Sequence, residues 1–411
     1  MKKKIAAPFI ALIALCFLSY LVYAIFFNSV GTNADPTMAF FGVENESQYG
    51  LLMTVASIGG IVVTIILGLF GERINKINGL FFGLGLMGVA SVLIGTMPLY
   101  IKPGSGFILM LVYFLIAGIG YITLDLLVNG VITDCVPDQK NSVLPFTHAF
   151  YGMGAMIAPL FVTALSTVEK PETFASPYLI AGIGAVIVAL AIFIIGKKIR
   201  PKTPYADMTA IRARATANPA EVFKDIRSWL FLLAGLFYLF FQTGMTSWLP
   251  NYCADRFQVT ATDAASVLSM YFLGALAMRF LSPVIYKIMK VSTFYMITLA
   301  VSCCVFAAIL FLPVNLTWVR ILIVVVGLMQ GSSIPSLVIL CSDTFPGRSA
   351  SASSVIMLSI ALGALICPTA MGAIINSSGF LAAMLAITAC LPVSIILIIV
   401  INRISAARQH N

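Results

Sequence analysis

Hydrophobic residues run along this chain in blocks of about 20, separated by short polar stretches. The two-residue alternation of a half-buried strand is missing, and so is the single apolar stripe of a soluble helix. At about 1.5 Å per residue, a block of this length crosses a hydrocarbon core of roughly 30 Å. Twelve blocks predict spanning helices over about 5–28, 48–70, 79–100, 107–133, 143–167, 175–197, 227–251, 263–286, 291–313, 317–341, 350–376 and 379–402. Turns such as Lys102-Pro103-Gly104-Ser105 and Pro137-Asp138-Gln139-Lys140 join them, so successive helices are expected to be antiparallel neighbours. The expected fold class is an all-α integral membrane protein with twelve transmembrane helices.

The first block follows Lys2, Lys3 and Lys4 and could be read as a secretory signal. It is too long for a typical signal core and ends without a small-x-small cleavage site, so it is expected to stay as a span. Composition agrees with a lipid solvent: 60% of residues are hydrophobic, 9% are charged and the mean hydropathy is +1.04. Soluble domains carry about 25% charged residues.

The net charge of +9 has an explanation in topology. With the N-terminus inside, Arg73, Lys76, Lys197, Lys198, Arg200, Lys287, Lys290 and Arg403 all fall on the cytoplasmic side. Lys102, Lys170, Arg256 and Arg320 fall outside. The positive-inside rule then places both termini in the cytoplasm of a multi-pass cell-membrane protein. Nucleic-acid binding need not be invoked, and the lipid bilayer is the expected partner surface. The eight cysteines show no paired metal spacing and read as packing residues. No HExxH, P-loop or nucleophile elbow is present, so no enzyme activity, cofactor or metal is expected.

Residues 198–226 form the longest cytoplasmic connection and divide the chain into 1–197 and 227–411, six spans each. The halves echo one another. Gly118, Asp134, Pro137, Gly154, Ala155 and Pro159 recur 209 positions later as Gly327, Asp343, Pro346, Gly363, Ala364 and Pro368. In the second span the offset is 214, taking Gly60 to Gly274, Arg73 to Lys287 and Lys76 to Lys290. Two six-helix parallel repeats are the architecture of rocker-type transporters, with the substrate site near the midplane.

Ionisable side chains inside a span cost about 2.5–3.5 kcal/mol at its centre, so each is a functional candidate. Asp125 and Asn129 share a face of the fourth span, and His148 and Tyr151 a face of the fifth. Arg279 lies on the eighth span with Tyr271 and Ala275. Counted from the cytoplasmic ends, Asp125, His148 and Arg279 lie at about the same depth of 9–12 Å. That match allows ion coupling through changing contacts of Asp125, with a permanent helix-bridging ion pair as the alternative. Asp134 and Asp343, at cytoplasmic helix ends, are expected to act as gate or capping residues. The seventh span offers Gln242, Trp248, Asn251 and Tyr252, and the tenth Gln330, Ser332 and Ser333. Amides and hydroxyls beside aromatic rings suit a polyhydroxylated ligand, while Trp248 and Tyr252 also fit interface anchoring. Gly331, beside Ser332, Ser333 and Pro335, is expected to mark an irregular part of the tenth span.

The run from Gly68 to Lys76, Gly-Leu-Phe-Gly-Glu-Arg-Ile-Asn-Lys, resembles the cytoplasmic signature G-x-L-a-D-R-x-G-R of the major facilitator superfamily. Glu72 stands at its Asp position and Asn75 at its second Gly. The resemblance implies a gate latch in which Glu72, Arg73 and Lys76 tie the halves together in one state. The echo from Ser282 to Lys290 keeps the bases and lacks the acid. A narrower resemblance starts at Gly120-Tyr121-Ile122-Thr123-Leu124-Asp125 with Asn129 and continues through His148-Ala149-Phe150-Tyr151-Gly152-Met153-Gly154-Ala155 to Pro159. It is similar to the fucose/glucose/galactose-proton symporters and the sodium-dependent glucose transporters. That likeness implies monosaccharide uptake driven by a cation gradient, with Asp125 and Asn129 facing the central cavity. Related proteins often carry Glu in the seventh span where this chain has Gln242, which leaves Asp125 as the main coupling candidate.

The expected function is therefore alternating-access symport of a small polar solute, a monosaccharide, with a proton, sodium being the other coupling ion considered. A single chain is expected to suffice. The alternatives are a proton-antiporting drug or metabolite exporter, an organic-anion transporter using Arg279, and a non-transporting sensor.

Overall fold

The computed structural model describes residues 7–44, 46–207, 209 and 220–408. Residues 208 and 210–219 of the linker expected at 198–226, and the basic cluster at 2–4, lie outside the described residues. Among the described residues, twelve helical stretches are long and apolar enough to cross a membrane. Large apolar side chains such as Ile108, Leu160 and Ile194 point outward, as they do where lipid rather than water is the neighbour.

The chain divides into two compact units. The first comprises Met1–Pro219 together with Ser349–Ser351. Its long helices are α1 (Ala7–Thr32), α3 (Glu46–Phe70), α4 (Lys76–Thr96), α5 (Phe107–Cys135), α6 (Lys140–Leu165) and α7 (Ala175–Ile199). A short α2 (Ala34–Phe41), unforeseen from hydropathy, follows α1 and ends on Gly42 in the left-handed region at φ 66°. Helix α4 packs on both α5 and α7, α3 lies on α5, and α1 packs on α6 and α7. Small residues permit these contacts: a Cβ on Gly118 would stand 2.3 Å from the Ala56 carbonyl oxygen.

The second unit, Ala220–Arg348 and Ala352–Asn411, begins with a short α8 (Ala220–Lys224). Then come α9 (Ile226–Phe257), α10 (Ala261–Ile285), α11 (Val291–Phe311), α12 (Leu316–Gln330), α13 (Ser333–Thr344) and α14 (Ser349–Ala407). Span ten is two helices, α12 and α13, which meet at Gly331 and Ser332, where Gly-Ser-Ser-x-Pro predicts irregularity. Spans eleven and twelve run on as one helical stretch whose chain turns at Gly379, φ 83°. The Gly residues of α10 and α12 set a near-backbone contact: Cβ atoms at Gly274 and Gly327 would fall 2.1 Å and 2.0 Å from the carbonyl oxygens of Val324 and Tyr271.

Polar caps begin several helices. Asn75 accepts from the backbone N–H groups of Ile77 and Asn78 at 3.0 and 3.2 Å, so the residue that departs from the signature's Gly caps α4. Asp225, Thr260 and Asn315 do the same for α9, α10 and α12.

Candidate functional site

In the first unit the polar residues of α1, α5 and α6 converge. Tyr121, Asp125 and Asn129 recur every four residues, so α5 presents them along one face. The Tyr20 hydroxyl of α1 donates to the Asp125 carboxylate. The same ring meets the His148 imidazole edge-on, with centroids 5.4 Å apart. Tyr20 thus touches both of the unit's ion-coupling candidates.

Asn129 Nδ2 donates to the Asp125 backbone carbonyl at 2.8 Å. Its Oδ1, in a residue 0% exposed, has no hydrogen-bond partner among the described residues. One turn along α1, Tyr23 stacks on Tyr121 at 5.0 Å and lies 5.2 Å from Tyr151. Phe27 closes edge-on against Tyr121 at 5.5 Å, and Asn28 Nδ2 reaches the Tyr151 hydroxyl at 3.4 Å. The unit therefore assembles a carboxylate, an imidazole, two amides and four tyrosines on three helices.

Sequence reasoning named Asp125, Asn129, His148 and Tyr151 but missed Tyr20, Tyr23, Asn28 and Tyr121. A signal existed. Tyr20, Tyr23 and Phe27 follow the i, i+3, i+7 spacing of one helical face, with Asn28 beside them.

A second cluster of the first unit gathers around Lys76. Its ammonium lies 2.6 Å from Glu72 Oε2 and 2.9 Å from Asp134 Oδ2, and the residue is 0% exposed. Ser349, counted with this unit, receives a bond from Lys76 Nζ at 2.6 Å and donates to Asp134 Oδ1 at 2.8 Å. The Ala350 N–H donates to Glu72 Oε1 at 2.7 Å. Two carboxylates on one ammonium leave a buried excess negative charge, which these extra donors stabilise. Arg73 lies apart from this network, its guanidinium over the Phe70 ring at 5.6 Å. Tyr205 joins it, donating to Asp134 Oδ2 at 2.6 Å, although its stretch of sequence reads as a tether.

In the second unit, Gln330 ends α12 and Tyr271 donates to its Oε1 at 3.3 Å. Gln330 Nε2 has no hydrogen-bond partner among the described residues, although the residue is 2% exposed. The Tyr238 hydroxyl reaches the Gln330 backbone carbonyl at 3.4 Å, and Arg279 Nε donates to the carbonyl of Gly331 at 3.1 Å. The helix break thus offers its carbonyls to Tyr238 and Arg279. At the break itself Ser332 Oγ donates to Ser282 Oγ at 2.7 Å, so the residue that opens the second half's echo of the latch is paired with a neutral serine.

Gln242 is half-buried on α9. Trp248 packs on Phe380 at 6.3 Å, and its Nε1 is a buried donor with no hydrogen-bond partner among the described residues. Asn251 is exposed, and the Tyr252 hydroxyl is taken by Arg256 at 2.7 Å. Asp343 is exposed in the last turn of α13. Among the described residues no group of three or more His, Cys, Asp or Glu side chains could hold a metal ion.

Protein TsgA of Shigella flexneri is 26% identical over 282 residues, a match that covers 66% of this chain and 66% of that protein. The chain thus spans just under two thirds of that relative's length. Among solved structures, FucP of Escherichia coli superposes with a TM-score of 0.79 at 18% identity, covering 96% of this chain and 99% of FucP. A bacterial homologue of the iron transporter ferroportin superposes with a TM-score of 0.76 at 13% identity, covering 95% and 99%. At these identities the likeness concerns the fold. The model of the Major Facilitator Superfamily matches residues 12–366, and with twelve apolar helices and this fold the chain belongs to that superfamily of multi-pass membrane transporters.

Proposed function

We propose that this transporter is a proton-coupled symporter of a small polar solute, a monosaccharide, with Asp125 as the coupling acid. The observation that carries the reading is the Asp125 carboxylate inside a membrane span, met by the hydroxyl of Tyr20, whose ring also meets His148. Such a carboxylate costs about 2.5–3.5 kcal/mol to insert in its charged form. Protonation removes that cost, so the proton's arrival and departure change which contacts the site favours.

The surroundings suit a sugar. Asn28 and Asn129 supply amides for hydroxyl groups, and Tyr121 and Tyr151 supply rings for C–H faces. Within the second unit, taken by itself, Gln330, Gln242, Trp248, Asn251 and Tyr271 are read as solute-binding side chains and Arg279 as an ion-coupling one. FucP, whose fold the chain shares, is a fucose:proton symporter. Glu72, Arg73, Lys76 and Asp134 of the first unit, and Asp343 of the second, are read as gate residues, and the termini as cytoplasmic by the positive-inside rule.

The test is uptake of labelled fucose, galactose and glucose into proteoliposomes, with and without an inward proton gradient. Accumulation above equilibrium that requires the gradient supports the reading, and no sugar movement in any condition refutes it. The density of rings around Tyr23 favours a second reading, export of aromatic metabolites, which predicts gradient-driven efflux of such compounds instead.

A further inference from the structure

Asp134 accepts from Lys76 and Ser349, and a further donor comes from the stretch that follows α7. Tyr205 is 1% exposed, and its hydroxyl lies 2.6 Å from the carboxylate oxygen that also faces Lys76. The chain is stitched to deliver it. The Thr203 N–H and hydroxyl both donate to the Arg200 carbonyl, at 3.0 and 2.8 Å. The Tyr205 N–H donates to Thr203 Oγ1 at 3.2 Å, the Ala206 N–H to the Thr203 carbonyl at 3.2 Å, and Arg200 Nε to the Tyr205 carbonyl at 3.3 Å.

A passive tether needs only length, and its backbone is ordinarily solvated and its side chains exposed. This one is folded into a hook that ends in a buried phenol. The chemistry at its tip fits a need of the cluster. Lys76 carries one positive charge against the two of Glu72 and Asp134, and a neutral O–H donor stabilises the carboxylate that shares the ammonium. The phenol adds its donor to those of Lys76 and Ser349 on Asp134, so its loss would leave that side chain freer to move.

We propose that Tyr205 is a positioning residue of the gate: the hook Arg200–Asp207 holds Asp134 on Lys76, so that its withdrawal loosens the whole ionic cluster. The proposal rests on the gate reading of Glu72, Lys76 and Asp134 given above. It assigns the linker a part in setting how often the gate opens.

The experiment is hydrogen–deuterium exchange of the full-length protein in lipid nanodiscs, comparing the wild type with Tyr205→Phe, Thr203→Val and Asp134→Asn. Tyr205→Phe keeps the ring and its packing and removes only the donor. It is expected to speed amide exchange about tenfold at residues 71–79 and 130–136 as well as within the hook. Thr203→Val, which unstitches the hook without touching Asp134, is expected to give a smaller change at the same three places. Faster exchange confined to 200–207 would overturn the proposal and leave Tyr205 as a local anchor. If Asp134→Asn also leaves 71–79 and 130–136 unchanged, the gate reading itself fails; if it speeds them while Tyr205→Phe does not, only the role of Tyr205 falls.

Discussion

Tyr20 and Asp125 lie 105 positions apart in sequence, and the hydroxyl of one donates to the carboxylate of the other. The bond ties α1 to α5 at the residue on which coupling is proposed to depend. Removing it with Tyr20→Phe leaves the ring against His148 and withdraws one donor to a charged acceptor, an interaction typically worth about 1.5–3 kcal/mol. Proton-driven accumulation is expected to fall about tenfold with little change in the yield of folded protein. Initial rates in proteoliposomes, set beside size-exclusion profiles, check this.

The buried latch makes a prediction about stability. Lys76→Met would strand Glu72 and Asp134 without their shared ammonium, and breaking a buried ion pair from one side costs about 3–5 kcal/mol. The triple variant Glu72→Gln, Lys76→Met, Asp134→Asn removes the charges together and is expected to recover most of that loss. Thermal unfolding in detergent of the single and triple variants is the comparison.

Gly327→Ala is expected to be poorly tolerated, because its Cβ would lie 2.0 Å from the Tyr271 carbonyl oxygen, an atom of the backbone that cannot rotate away. Overpacking of this kind costs about 1–3 kcal/mol or more. Gly184→Ala, whose Cβ would meet the Val22 side chain at 4.0 Å, is expected to leave the melting temperature nearly unchanged. Expression level and melting temperature of the two variants separate the cases.

Asp225 gives a prediction in pH. Burial alone would raise its carboxyl, but hydrogen bonds from Arg227 and Arg408 outweigh that and hold it at about 2, below its ordinary 3.8. A depressed carboxyl contributes stability that is complete above its unfolded value and fades as pH falls toward the folded one. The clamp that Asp225 makes on Arg408, at 2.6 Å, is therefore expected to be intact at pH 5 and above and to weaken between about pH 4 and 2. Protease release of the C-terminal segment measures this, and Asp225→Asn should give the acid-like release at neutral pH.

The helices, the pairing of Asp125 with Asn129 on one face and the break at Gly331 were legible because each depends on local spacing or local turn chemistry. Tyr20 was not, since its partner lies on another helix and a tyrosine in an apolar span has many uses. Tyr205 was hidden for a different reason: the composition of 198–226 is that of an ordinary linker, and only the stitching around Thr203 turns the Tyr205 ring inward. Asn75 reads as a departure from a signature until the structure shows it capping α4, and Arg73, grouped with Lys76 by the signature, turns to Phe70 instead.

The central claim is that Asp125 couples solute movement to a proton gradient. Its most direct test compares wild type and Asp125→Asn in proteoliposomes for gradient-driven uptake of labelled monosaccharide and for exchange at equal concentrations on both sides. The account predicts that the substitution abolishes accumulation while exchange persists. Accumulation that survives Asp125→Asn at the wild-type rate would contradict it.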